Sequence, residues 1–550
     1  MKKNILHSLL LGLVLIGIAV PLLIPYFHPG YFPTHDGEWA VVRLGDMFRS
    51  IRDHQFPVRY SGNLDFAYGY PLFNFAYPAP YYLGILFHFF RFGFVDTIKL
   101  LFAVSIVISS FAIYFLSKEL WQSKAAGVIS AVLYLYYPYR IVDLYARGSL
   151  GESLAFALFP IILLCASRIF EKRYTYSFFA LGVISYSLLI MTHNIMALLF
   201  TPILFIFLTM KVFAAKRKGY FKALSFVLLS FGISSFFWLP ALLEKSLIRL
   251  SVIPIADRSI YFVTLSQLVM PKWGYGLPNQ PGGFTYQLGI GTLFVFLITL
   301  GFLLYSIFLK KNLFRTFSFQ LAAVFSLITA VALLLMFSFS SLFWQAMPLL
   351  REINYPWTLL GVIGLLISLL GGFLWRGSRG IRYCVVFFAL LAVAFTLPYA
   401  QPQSYFDKGD SYYLTNEATT TSSNEYTPLW VKQEPIKRWD QKVEITTGSG
   451  NITGVLFNSH SGSFTFEGTA ASNVRVNTIY WPGWKVFVDK KEVQIDYNNP
   501  KGVIEFSVPA GTHQVNLSLG ETPVRLFSDL VSLACLLTVI GVGIFLRKKK

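Results

Sequence analysis

Charged side chains are scarce in this chain. Of 550 residues, 13% are Asp, Glu, Lys or Arg and 55% are hydrophobic, whereas a soluble globular chain carries about 25% charged residues. Together with a mean hydropathy of +0.57, that scarcity excludes an ordinary soluble enzyme and places the chain in the membrane class. Cysteine is scarcer still. Cys165, Cys384 and Cys535 all fall inside apolar runs, so no disulfide framework is implied and no metal-type cysteine spacing exists. No internal repeat marks an inverted-repeat transporter. Acids are few as well, 27 against 46 basic residues, for a net charge of +19.

Twelve apolar runs read as spans, with several shorter than the roughly 20 residues an untilted helix needs. They are 5–25, 98–116, 125–139, 152–168, 177–191, 195–212, 223–240, 286–308, 317–338, 357–375, 382–399 and 526–546. The first has the basic start of a signal peptide but is too long for a signal h-region and has no small-residue cleavage site, so it reads as a helix. With a cytoplasmic start, alternate connections hold 22 of the 46 basic residues and only Glu119 and Glu171 as acids. The other side keeps 24 basic and 25 acidic residues. The basic excess is therefore that of the positive-inside rule, and nucleic acid is not a partner. This topology predicts a multi-pass plasma-membrane protein with both termini cytoplasmic.

The outer connections are unequal. Residues 26–97 form a large first loop of the membrane domain 1–399. Its segment "WAVVRLGDMFRSIRDHQ" puts Val41, Leu44, Met47, Phe48 and Ile51 on one face and Arg43, Asp46, Arg49, Arg52 and Asp53 mostly on the other, the spacing of an amphipathic helix lying in the interface. "YYLGILFHFF", residues 81–90, predicts a second interfacial or re-entrant helix. Residues 241–285 form a Pro- and Gly-rich outer loop, and 400–440 a polar linker or strap. From 441 to 525 the pattern alternates with period two, which predicts a small antiparallel β-sandwich. There Trp481 and Trp484 are candidate sugar platforms, with a core role expected for at least one. Residues 526–550 return to the membrane and end in a basic tail.

Polar groups concentrate at the outer ends of the spans. The first loop opens with "YFPTHDGEWA", residues 31–40. Asp143, Arg147 and Glu152 precede the fourth span, His193 and Asn194 separate the fifth and sixth, and Glu244 follows the seventh. Each has a bland explanation: a solvated helix end for Asp36, an ion pair across one turn for Arg147 and Glu152, a polar turn for "THN", an interfacial anchor for Glu244. Their confinement to one face favours a shared cavity, because ionisable groups at membrane depth usually face a cavity or each other.

The segments "THDGEW", "QFPVRYSGNLDFAYGYPLFNFAYPAPYYLG", "YARGSLGESLAFALFP", "THN", "FFWLPALLE", "FWQAMPLLREINYPW", "NEYTP" and "YWPGWKVFVDKKEV…VPAGTH" resemble the YfhO-type bacterial multispanning proteins. They are also similar to membrane proteins labelled 6-pyruvoyl-tetrahydropterin-synthase-related. That label does not carry pterin chemistry here, since the sequence has no metal-binding histidine cluster. The resemblance implies a GT-C-like glycosyltransferase, membrane α-helical, using a sugar carried on polyprenyl phosphate. Carried over by position, Asp36 is the candidate catalytic residue, with Glu38 beside it. His35, Arg59, Arg147, Glu152, His193, Asn194 and Glu244 are the candidate substrate-binding residues. One position departs: Thr358 follows "PW", where an arginine often stands. If that arginine contacts substrate, the contact is missing here.

The chemistry agrees with that implication. Nucleotide sugars are cytoplasmic, so an outward-facing transferase needs a lipid-linked donor, with membrane lipid as a partner and a cell-envelope glycan or polymer as acceptor. Arg147 offers a bidentate cation for the donor phosphate. Asp36 can act as general base on the acceptor hydroxyl; alternatively, Asp36 and Glu38 hold a divalent cation, Mg or Mn, at the leaving phosphate. Tyr68, Tyr70, Phe73, Phe75, Tyr77 and Tyr81 can stack on sugars, though interfacial aromatics alone would explain them. Two rival readings stand beside the enzyme. A transporter or lipid-carrier flippase predicts mid-membrane ionisable groups and broken helices, and both are scarce in this sequence. A non-catalytic cell-envelope assembly protein predicts recognition by the β domain.

In a cysteine-free variant, single cysteines at Ser61 and Ser463 test the topology. An impermeant maleimide should label them in intact cells; labelling only after lysis would invert the orientation.

Overall fold

A computed structural model of the chain describes residues 2–171, 176–216, 218–253, 255–309 and 315–548. Of the basic residues assigned to one face above, Lys172, Arg173, Arg217, Lys310, Lys311, Lys549 and Lys550 lie outside the described residues. The helices are α1 (Lys2–Leu23), α2 (Gly37–Arg52), α3 (Ala79–His88), α4 (Phe94–Trp121), α5 (Lys124–Leu135), α6 (Pro138–Val142), α7 (Leu150–Arg168), α8 (Tyr176–Thr192), α9 (Asn194–Ala214), α10 (Tyr220–Ile233) and α11 (Ser235–Leu243). They continue with α12 (Ile290–Leu309), α13 (Phe317–Leu335), α14 (Leu360–Leu374), α15 (Arg379–Thr396) and α16 (Pro523–Lys548), with shorter turns between.

Every expected span has a helical counterpart. Among the described residues nine helices are long and apolar enough to cross a membrane, and α8 is a shorter apolar helix. The other two expected spans are broken. The 125–139 span bends by 49° between α5 and the segment Pro138–Arg147, and the 223–240 span bends by 68° between α10 and α11. Pro138 has no N–H to continue the first ladder and holds its predecessor out of the helical region; Tyr137 accordingly has ψ 128°. The scarcity of broken helices expected from sequence is thus corrected. So is the scarcity of ionisable groups at membrane depth: Arg140, one residue past the expected 125–139 span and within its bent continuation, is 1% exposed, held by the Ser153 carbonyl at 3.1 Å and lying over the Phe156 ring at 4.6 Å.

Helix α14 is wholly buried at the centre of the bundle. Gly372 lets α4 and α5 close on it, because a Cβ there would lie 2.4 Å from the Ser117 hydroxyl and 2.5 Å from that of Ser130. At one end of the bundle the acids Glu119 and Glu171 both pair with Arg168. At the other end lie the first loop, the 241–285 loop, the strap and the β domain.

The β domain holds strands β1 (Val443–Thr447), β2 (Asn451–Phe457), β3 (Ser461–Gly468), β4 (Ser472–Ile479), β5 (Trp484–Val488), β6 (Lys491–Val493), β7 (Val503–Val508) and β8 (Gly511–Leu519). They form two antiparallel sheets, ordered β1-β4-β7 and β2-β3-β8-β5-β6. Period-two alternation sends Phe464, Phe466, Val474, Val476, Val486, Ile504, Phe506, Val515 and Leu517 into one shared core. Trp481 and Trp484 lie in that core, at 0% and 5% exposure, so neither is a sugar platform.

This core is completed by the membrane domain. Phe75 meets Trp481 edge-on at 5.7 Å, and the Tyr60 hydroxyl donates to the Ile479 carbonyl at 2.8 Å. Helix α2 is packed between α3 and the strap and buries Asp46, which accepts from Asn63 at 3.1 Å; it does not lie free in the interface. Ser61 is fully buried, so Ser463 is the usable labelling position. Helix α3 does leave Leu86, Phe89 and Phe90 exposed beside it, as an interfacial helix would.

Two charge clusters anchor α16. Arg525, 1% exposed, meets Glu244 at 3.0 Å, and Glu244 also accepts from Asn74 at 2.7 Å and Thr522 at 3.1 Å. Arg59 meets Glu521 at 3.1 Å and Asp529 at 2.6 Å. Breaking a buried pair strands its partner's charge, a loss of about 3–5 kcal/mol. Glu244→Ala should lower unfolding free energy in detergent by that order. A loss below about 1 kcal/mol, as for a surface pair, would show that Glu244 is no strut.

Candidate functional site

Asp36 stands at the N-cap position of α2, where an aspartate ordinarily accepts a bond from the second or third helical N–H. It makes no such bond. Thr34 takes that role, its hydroxyl accepting from Gly37 N at 3.0 Å. The half-buried carboxylate of Asp36 accepts no hydrogen bond among the described residues. Burial raises its pKa, and the guanidinium groups of Arg147 and Arg43 pull it partly back.

The loop carrying Asp36 is stitched to the turn carrying Arg147. His35 N donates to the Ala146 carbonyl at 3.1 Å, and Asp36 N to the Arg147 carbonyl at 2.8 Å. That turn, Asp143–Arg147, is π-helical, a wide turn frequent at functional sites. It ends at Gly148, whose φ of +61° is left-handed and whose added Cβ would lie 2.3 Å from the Thr34 hydroxyl. The His35 ring donates from Nε2 to the Tyr275 carbonyl at 2.8 Å. Burial lowers its pKa, so the ring is a neutral anchor between the first loop and the 241–285 loop.

Arg147 is held from several sides. Its Nη1 donates to Glu152 at 2.5 Å and to the Tyr139 hydroxyl at 2.9 Å, and lies 3.6 Å from Asp143. The Tyr139 hydroxyl donates in turn to Glu152 at 2.7 Å. The guanidinium lies over Trp357 at 4.8 Å, and Trp357 rests on Phe284, Tyr286 and Tyr355. His193 caps α9, accepting from Met196 N, with Nε2 3.6 Å from Glu152. Burial pushes His193 down to about 4, so it is neutral. Its other face stacks on Tyr77 at 5.5 Å.

Asp36, Arg147, Glu152 and His193 therefore converge, with His35 as an anchor. The remaining candidates do not join them. Glu38 turns toward Lys408 and Tyr413 of the strap. Arg59 and Glu244 are consumed by the α16 clusters. Asn194 is exposed and its side-chain oxygen accepts from Ile195 N at 2.9 Å. Of the six loop aromatics only Tyr77 is half-buried at the site; Tyr68, Tyr70, Phe73, Phe75 and Tyr81 are buried. Thr358 is buried too, its hydroxyl donating to the Tyr355 carbonyl at 2.7 Å. Arg43, Tyr139, Trp357 and Thr420 belong to the site and were not named as candidates. For Arg43 no local signal was available, since an arginine on the polar face of an amphipathic helix has the same spacing whether it faces water or a site.

The residues present do not fit a protein-held divalent cation. Among the described residues, no three of His, Cys, Asp and Glu are grouped to hold a metal ion. Asp36 and Glu38 face different neighbours, and the charges facing Asp36 include two arginines.

A family model described as the 6-pyruvoyl-tetrahydropterin synthase related domain, a membrane protein, matches residues 73–397. The chain belongs to that family. The match takes in Arg147, Glu152, His193 and Trp357 but begins after Asp36. No curated protein matches the chain. Among solved structures, the arabinofuranosyltransferase AftD from Mycobacteria is similar over 72% of this chain at 15% identity and a TM-score of 0.47, with 27% of its own length covered. The oligosaccharyltransferase AglB from Archaeoglobus fulgidus, in complex with an inhibitory peptide and a dolichol-phosphate, is similar over 76% at 16% identity and 0.41, with 60% covered. Gly148 sets how closely the Asp36 loop approaches the π-helical turn. Gly148→Ala should lower the melting temperature in detergent, because the added Cβ clashes with Thr34 at a left-handed φ. An unchanged melting temperature would show that the two segments can part at no cost.

Proposed function

We propose that this chain is an integral-membrane glycosyltransferase of GT-C type. It moves a sugar from a polyprenyl-phosphate donor to an extracytoplasmic cell-envelope glycan or polymer. The reading is carried by one observation: Asp36 occupies a cap position, does not cap, and keeps an unengaged carboxylate at a half-buried point between two arginines. A helix end that only needs solvation has no use for that arrangement.

In the proposed reaction the acceptor hydroxyl oxygen bonds to the anomeric carbon as the bond from that carbon to the phosphate oxygen breaks. Asp36 takes the hydroxyl proton, and the polyprenyl phosphate leaves with the electron pair. A raised pKa suits the base, since proton transfer is most effective when its pKa approaches the working pH. Glu152, with His193 beside it, acts through Arg147: it holds the guanidinium, which fixes the turn that carries the Asp36 loop. Tyr77 offers an aromatic face for a sugar. The orientation rests on the basic residues, with both termini cytoplasmic in the plasma membrane.

The two broken spans favour a second reading, a lipid-carrier flippase, because discontinuous helices line the substrate sites of many transporters. Purified protein decides between them by sugar transfer, which a flippase does not perform.

Asp36→Asn preserves shape and removes charge. It should cost about 10²–10⁴-fold in transfer rate, with expression and melting temperature unchanged; near wild-type transfer would remove Asp36 from the chemistry. Glu38→Gln should do much less, since Glu38 faces the strap. The acid limb of the rate profile reports ionisation of the base. Because burial raises the Asp36 pKa, transfer should fall with decreasing pH at a higher pH than an ordinary carboxylate would give.

A further inference from the structure

Two guanidinium groups act on Asp36, and their surroundings differ. Arg147 is already compensated by Glu152 at 2.5 Å and Asp143 at 3.6 Å. Arg43 has no carboxylate within ion-pair distance among the described residues. Its Nε donates to the Thr420 hydroxyl at 2.9 Å, and Nη2 donates to the Thr420 carbonyl. Both acceptors are neutral. The rest of its surroundings is aromatic: Tyr70, Tyr77, Tyr81 and Tyr426 face the guanidinium. A half-buried cation without a counter-ion is costly to keep, and a guanidinium has five donors, of which two go to Thr420.

Position agrees with charge. Asp36 and Arg43 are two turns apart on one face of α2, about 10 Å along the axis. Helical side chains lean toward the N-terminus, which carries the long arm of Arg43 back toward Asp36. Arg43, Tyr77 and Tyr426 all keep accessible surface. Thr420 comes from the strap and closes one side.

We propose that Arg43, with the hydroxyl groups of Tyr77 and Tyr426, forms the subsite that receives the phosphate of a lipid-borne donor. Arg147 instead positions the Asp36 loop. This deepens the glycosyltransferase reading and rests on it for the identity of the donor. A phosphate at Arg43 places the anomeric carbon one bridging oxygen away, on the side of Asp36. The leaving phosphate gains charge as the bond breaks, and Arg43 is the cation that meets it.

Binding tests this without turnover. Full-length protein in detergent is titrated with farnesyl phosphate and with farnesol. Wild type should prefer the phosphate by about 10-fold or more, as expected for charge-assisted hydrogen bonds. Arg43→Gln should erase that preference while leaving farnesol affinity unchanged. Arg43→Lys, which keeps the charge and loses the fork, should retain part of it. Thr420→Val removes the hydroxyl that accepts from Nε, leaves the carbonyl that accepts from Nη2, and should keep the preference; if it matches Arg43→Gln, Arg43 serves only to hold the strap and the proposal falls. A phosphate preference that survives Arg43→Gln, or vanishes in Arg147→Gln, overturns it as well. Inorganic phosphate competing as well as farnesyl phosphate would overturn the lipid-borne source. A preference lost at Arg43→Gln in a protein that transfers no sugar would sink the glycosyltransferase reading and leave the phosphate subsite standing.

Discussion

Two backbone hydrogen bonds, from His35 to Ala146 and from Asp36 to Arg147, join the first loop to a π-helical turn inside the bundle. The site is arranged around them. Backbone bonds do not depend on rotamers, so they place the Cα of Asp36 relative to that of Arg147 regardless of side-chain motion. The side chains then add direction. Thr34 relieves Asp36 of capping, Glu152 and Tyr139 aim Arg147, and Trp357 supports the guanidinium from beneath. Gly148 is needed because the two segments approach too closely for a Cβ.

The concentration of charge at the ends of the bundle follows from solvation. A carboxylate in hydrocarbon is far costlier than one beside water or a cation. Chemistry that needs an ionised base must therefore sit where the helices end. The same rule serves structure. Glu244, Arg525, Arg59, Glu521 and Asp529 gather at that end because no deeper location would tolerate them, and there they anchor the last helix. One membrane face thus holds charge clusters of two different purposes. They differ in saturation: in the anchoring clusters Arg59 and Glu244 are each held by two or more partners, while the Asp36 carboxylate has no hydrogen-bond partner among the described residues.

The β domain and the strap share the work of closing this face. Phe75 and Tyr60 of the first loop complete the β core, so the domain is docked by its own hydrophobic interior rather than through a polar surface. The strap runs between α2 and that domain. Phe406 N donates to Tyr31, the Asp410 carboxylate caps the start of α4 through Phe94 N and Val95 N, and Thr420 receives Arg43. A segment that reads as a polar linker or strap is a strap that walls the site.

Much of this was legible in the order of residues. The twelve spans follow from runs of apolar side chains, because a helix in a bilayer must be apolar along its whole length. The strands follow from period-two alternation, and the sandwich core from the residues that alternation turns inward. Asp36 was legible because a carboxylate beside prolines and aromatics at a span's end has few structural reasons to be there. Arg43 and Glu244 were not. An arginine on the polar face of an amphipathic helix has the same pattern whether it faces water or a closed pocket, and a glutamate after a span looks alike as strut or ligand. Their roles depend on residues 281 and 377 positions away, Arg525 and Thr420. Local periodicity records which way a side chain points from its own element; what it meets there is set by long-range packing, which no local pattern encodes.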